Sequence, residues 1–271
     1  MSDSRINKNT ELKRLEHILG KPQAELSYLD KLEAGDLFDL KNSIADAILN
    51  EHADSWEKLA KVSKFMPNFI NAKIAQEVLG PSLTANFTYF IPVKDAINIS
   101  AHFSKKFMAD VSEHLNPSRL EPLLKEFPNE RIKKIISELE ERNGYYTMGN
   151  FLDYMPQDKI LTLSEQIKSE ETLIRTASYC NKKERLAPVV LSFSDDKAKS
   201  LLKKSADLDL CEDVLSVIMH ISLADLMKYS DLIASLGDDL IQKYVNSAKQ
   251  LGGQEFEMFK KLAEPIGVKV D

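Results

Sequence analysis

The chain has 271 residues, enough to bury a large core either as two compact domains or as one elongated array. Hydrophobic residues make up 43% and charged residues 29%, the mix of a soluble globular protein, and nine glycines are too few for an all-β or loop-rich one. With 36 basic against 42 acidic side chains the formal charge is −6, which argues against a general nucleic-acid binder, whose footprint is basic.

The opening stretch, MSDSRINKNTELKRLEHILG, lacks the unbroken apolar run of a secretory leader. Leu12, Leu15, Ile18 and Leu19 have helical spacing, which fits a capping helix or a mobile arm. No later stretch holds the roughly eighteen uncharged apolar residues of a membrane span, so no span and a cytoplasmic location are expected.

From Asp54 onward the sequence resembles itself. DSWEKLAKVSKFMPNFINAKIAQEVL aligns with NPSRLEPLLKEFPNERIKKIISEL from Asn116 and with NKKERLAPVVLSFSDDKAKSLLKKS from Asn181. The pairs Met66-Pro67, Phe127-Pro128 and Phe193-Ser194 then coincide, and Pro122 falls over Pro188. Downstream, Pro92, Pro156 and Ser222 align, and SKKFMADVSEHL matches EETLIRTASYC. DDLIQKYVNSAKQL fits as the third copy after a small insertion.

The expected fold is therefore all-α: a right-handed superhelical solenoid of short helices, about three repeats of roughly 60 to 65 residues with five helices each, plus terminal caps. The expected organisation is one continuous array. Residues 1–53 form the N-terminal arm and capping helices, 54–115, 116–180 and 181–251 the three repeats, and 252–271 the C-terminal cap.

The aligned prolines suit the first helical position, where a missing N–H costs no intrahelical bond. Ser222 followed by Asp225 has capping-box spacing, and Ser194 precedes Asp195 and Asp196, so a serine cap does the same job where proline is absent. Pro122 and Pro188 read differently, about five residues inside a helix that each should bend or open.

The cadence HLNPSRLEPLLKEFPNERIKKIISEL followed by FLDYMPQDKI, within 111–233, resembles the N-terminal cytoplasmic domain of bacterial MgtE-type magnesium transporters. It is more distantly similar to the FliG-like helical repeats of flagellar switch proteins. The resemblance implies a right-handed superhelix of short helices. The regulatory modules and membrane pore of those transporters do not follow here, and the carboxylates of their magnesium site match no positions, so neither transport nor a metal site is carried over.

No P-loop, dinucleotide turn, HExxH, GxSxG or EF-hand loop occurs, and no catalytic residue, cofactor or metal ligand is assigned. His17, His52, His102, His114 and His220 form no pair three or four apart, and His52 and His114 read as helix C-terminal residues. Glu140-Glu141, Asp195-Asp196 and Asp238-Asp239 are adjacent and so point apart on a helix. Cys180 and Cys211 read as buried, reduced thiols.

Two features point to partners. The stretch from Phe65 to Phe107 is rich in Phe, Tyr and Met, and reads first as core and second as a groove, with Phe87, Tyr89, Phe90 and Phe103 the candidate protein-binding residues. Between Lys182 and Lys204 lie seven basic residues, among them the candidates Lys182, Lys183, Arg185 and Lys199. From Ser205 to Leu240 eight acids face only Lys228. Stacked helices would set these segments side by side as a bipolar surface.

The functional expectation is a non-catalytic protein-protein interaction module, an adaptor, scaffold or regulatory subunit. A second reading is a small-ligand or divalent-cation sensor with weak cation binding, and a third an enzyme whose residues converge from several repeats.

Overall fold

In the computed structural model, which describes residues 7–270, all regular structure is helical and no strand occurs among the described residues. The chain divides into two compact units between Lys159 and Ile160, a point inside the second repeat rather than at a repeat boundary. The expectations on the first six residues and on Asp271 lie outside the described residues.

The first unit opens with helix α1 (Lys8–Leu19), a 3-10 helix (Gln23–Lys31) and helix α2 (Ala34–Asn50). Leu12, Leu15, Leu26, Leu29 and Leu37 from these three elements form one buried cluster. Residues 8–19 are therefore a packed helix and not a mobile arm.

Three sets of helices follow in the cadence the alignment gives. The first holds α3 (Ala53–Ser63), α4 (Asn68–Ile74) running on through a π turn (Ala75–Leu79), α5 (Gly80–Thr88), α6 (Val93–Ser100) and α7 (Lys105–Glu113). The second holds α8 (Glu121–Glu126), α9 (Asn129–Glu141), α10 (Tyr145–Leu152), α11 (Gln157–Ser164) and α12 (Glu170–Ser178). The third holds α13 (Ala187–Leu191), α14 (Asp195–Asp207), α15 (Cys211–Ile218), α16 (Leu223–Leu226) and α18 (Asp238–Leu251), with the short α17 (Ser230–Ala234) as the insertion. In the second unit, α19 (Gly253–Ala263) packs Phe256 and Phe259 onto the cluster of Ala206, Cys211, Leu215, Tyr244 and Ala248.

The prolines sit one residue earlier than the first helical turn. Pro67, Pro92 and Pro128 are cap residues with extended backbone, and their carbonyls accept from Ile70, Asp95 and Arg131 at 2.9–3.0 Å. The ring thus fixes an extended φ, ψ just where the chain must turn into the helix, and no donor is lost there either. Serine does the same work elsewhere: Ser104, Ser169, Ser194 and Ser222 each accept from the N–H three residues on, at 3.1–3.4 Å.

Pro122 and Pro188 are not inside helices. Each occupies the second position of a new helix, α8 or α13, after a separate 3-10 turn (Pro117–Arg119 or Lys183–Arg185). The chain has broken fully ahead of the proline, since an interior proline would cost a backbone bond.

The repeat persists in backbone detail. Among the described residues the two non-glycine positions with positive φ are Asn143 (60°) and Asp209 (58°), separated by the same interval as Pro128 from Ser194 and Pro156 from Ser222. Each ends its helix by the left-handed turn that lets the next N–H reach back: Gly144 N–H to the Leu139 carbonyl at 2.7 Å, and Leu210 N–H to that of Ser205 at 2.8 Å.

Candidate functional site

The aromatic stretch splits by burial. Phe87 is 7% exposed, Phe107 packs with Ala75, Ala85 and Val111, and Phe103 meets the Phe107 ring edge-on at 4.9 Å. Tyr89 is half-buried against Leu120, Leu123 and Leu124, and its hydroxyl accepts the Asn116 N–H. Burial pushes that phenol's pKa up. Phe90 is half-buried as well. Phe65 and Phe69, by contrast, are 89% and 57% exposed.

The turn that carries Phe65 is pinned from inside. Asn71, itself buried, donates to the carbonyls of Ser63 (2.9 Å) and Met66 (3.3 Å), and the Ser63 hydroxyl donates to Ala60. The N–H groups of Phe65 and Met66 close 3-10-type bonds onto Val62 and Ser63 at 3.1 Å. Both sides of the α3–α4 corner are held, and Phe65 is held outward. Two further exposed side chains follow on the same run, Val78 in the π turn and Leu83 in α5. Gln76 stitches that π turn to the next corner, accepting the Ser104 N–H at 3.0 Å.

The second unit carries the charged candidates. Lys183 is buried, its ammonium donating to the Ala177 carbonyl, so it closes the turn after α12 and is not a surface cation. Lys182 and Arg185 are half-exposed in the same turn. On α14, Lys197 lies 4.4 Å from the centre of the Phe193 ring and Lys199 donates to the Ser235 hydroxyl at 2.9 Å. That bond joins the basic helix to the acidic stretch, where Leu223 (38%) and Met227 (53%) stand exposed on either side of Asp225 in sequence. Asp225 is bound to Ser222 and Lys228, and these contacts, Lys228 first, hold its carboxyl below the ordinary range.

Sequence patterns gave no sign of a buried charge cluster in the first unit. The Arg14 guanidinium, fully enclosed, reaches Glu11 at 3.0 Å and Asp153 at 2.6 Å, and the Lys41 ammonium lies 2.7 Å from the other Glu11 oxygen. Among the described residues two cations, Arg14 and Lys41, face two anions, Glu11 and Asp153. Burial works against the Arg14 charge, but Asp153 and Glu11 outweigh it and its pKa is raised; burial and the nearby Arg14 lower that of Lys41. Asp46 on α2 also pairs with Arg119. With its partners in place the cluster is a clamp joining α1 and α2 to the end of α10.

The remaining sequence candidates are structural. Among the described residues Cys180 and Cys211 are buried and form no disulfide. His114 caps the C-terminus of α7, as expected, and His52 directly follows the C-cap Glu51 of α2 while serving as the N-cap residue of α3. Asp195-Asp196 and Asp238-Asp239 open α14 and α18, at the positive end of the helix dipole. Among the described residues no three His, Cys, Asp or Glu side chains gather as a metal site, and no helix is long and apolar enough to cross a membrane. Comparison with protein-family models, curated proteins and solved structures returned no match.

Proposed function

We propose that the chain is a non-catalytic protein-protein interaction module, an adaptor, scaffold or regulatory subunit built as a right-handed superhelical solenoid like the MgtE-type N-terminal domains its cadence resembles. Repeat stacks offer extended surfaces and need no reaction chemistry. The five-helix cadence, its matched caps and its matched left-handed turns support the architecture.

The observation that carries the functional reading lies in the second unit. Two exposed apolar side chains, Leu223 and Met227, are bordered by acids, and Lys199 on the basic helix α14 bonds to Ser235 within that acidic stretch. An apolar centre within a charged rim is the usual anatomy of a protein interface. The basic and acidic margins steer encounter, and the apolar centre holds the bound state.

A photoreactive residue placed at Met227 in the source cells tests this. The expected result is one discrete cross-linked protein, lost with Leu223→Ser and captured more slowly at low salt with Lys199→Glu and Lys203→Glu. The absence of any cross-linked protein at this position overturns the reading.

A further inference from the structure

Phe65 is the most exposed large apolar side chain among the described residues, at 89%, and it stands on a pinned turn rather than a fraying end. Val62 precedes it at 56% and Phe69 follows at 57%. Around these three, Lys58, Lys61, Lys64 and Lys73 are all exposed, and none is ion-paired among the described residues. From Ser55 to Ile74 the only acid is Glu57, in a chain whose overall charge is −6. The corner is thus a local basic and apolar spot on a molecule of net negative charge.

We propose that the α3–α4 corner docks the protein onto an anionic lipid surface, Phe65 and its apolar neighbours entering the interface while the lysines pair with headgroups. Charge complementarity names the occupant, and the residue types choose between its forms. Protein interfaces are enriched in aromatic residues but depleted in lysine, so the cations and not the ring discriminate. Here every cation is lysine, whose long apolar stem lies along a bilayer boundary while the ammonium stays in water.

Three apolar side chains form a small anchor, comparable to the marginal binding of a single acyl chain, so binding is reversible and needs both signals. This docking is separate from the protein-binding surface proposed for the second unit.

Co-sedimentation of the full chain with phosphatidylcholine vesicles, with and without phosphatidylserine, tests it. Trp56 on α3, the single tryptophan of the sequence, gives a fluorescence readout beside it. Binding is expected only with phosphatidylserine, weakening steeply with salt. Each of Lys61→Glu and Lys64→Glu lowers partition by fivefold or more, where loss of the charge alone accounts for about 1 kcal/mol. Phe65→Ser lowers it by about tenfold at an unchanged thermal midpoint. Lys199→Glu leaves it unchanged.

Three results overturn the proposal. One is no binding to phosphatidylserine vesicles. Another is binding indifferent to Phe65→Ser, or a thermal midpoint lowered by that change, which would make Phe65 part of the fold. The last is equal, Phe65-dependent capture on poly-glutamate, which would make the occupant an acidic protein. Cross-linking at Met227 is unaffected by Phe65→Ser, so failure here and failure of the second-unit reading are told apart.

Discussion

The α7–α9 and α12–α14 contacts occupy equivalent places in successive repeats, yet they are made differently. In the first, Lys105 on α7 pairs with Glu138 on α9 at 3.1 Å; in the second, the matching positions hold Glu171 and Lys204 at 3.4 Å, the same bridge with its charges exchanged. Inside, Leu139 packs with Ala109 and Met148, while at its counterpart Ser205 the hydroxyl is buried against the Tyr244 phenol. Register is common to both contacts and chemistry is not. What the repeat conserves is where helices start, stop and meet, and a pair of side chains is free to solve each meeting in its own way.

The comparison breaks hardest where charge is buried rather than exposed. Arg14→Ala removes the cation that faces buried Asp153 and one of the two that face Glu11, and should cost about 3–5 kcal/mol in a urea titration. Leu139→Ala follows. Removing a side chain 2% exposed opens a cavity beside Ala109 and Met148, and about 2–5 kcal/mol should be lost.

At the polar counterpart the effect is smaller. Tyr244→Phe should cost about 1 kcal/mol, because the Ser205 hydroxyl still donates to the Leu202 carbonyl at 2.9 Å. The same substitution has a pH signature. Burial raises the Tyr244 phenol well above its ordinary value, so above about pH 10 the unfolded chain ionises and the folded one does not, and stability falls as pH rises. Tyr244→Phe should remove part of that alkaline loss.

The exposed bridges come last. Exchanging both partners, Lys105→Glu with Glu138→Lys, reproduces the order found at Glu171 and Lys204 but sets a like charge against Glu141, which also pairs with Lys105 at 3.6 Å, so at most a slight fall in the urea midpoint is expected. A clear loss would show that the first contact depends on the sense of its charges.

Much of the helical order was legible because proline and serine mark helix entries locally, and the third repeat's insertion appeared as α17. Pro122 and Pro188 were misplaced because an apolar run continues across them, and periodicity does not show that a 3-10 turn has intervened. The interaction surface was half legible. Helical spacing says that Phe65 and Phe87 belong to faces, but only the Asn71-braced corner decides that one ring is outside and the other in. Lys183 counted as surface charge until its stem folded back onto Ala177. Nothing local announces Arg14, whose partner Asp153 lies far along the chain.

That distance has a consequence for how the molecule is made. A ribosome releases α1 long before it has added Asp153, so for most of synthesis Arg14 has only near neighbours to meet, and the native pairing closes late. Nascent chains halted ahead of Asp153 should leave α1 more open to protease than chains carried past it. Helix α1 thus packs on its neighbours early, and its charge pairing is completed only when Asp153 arrives.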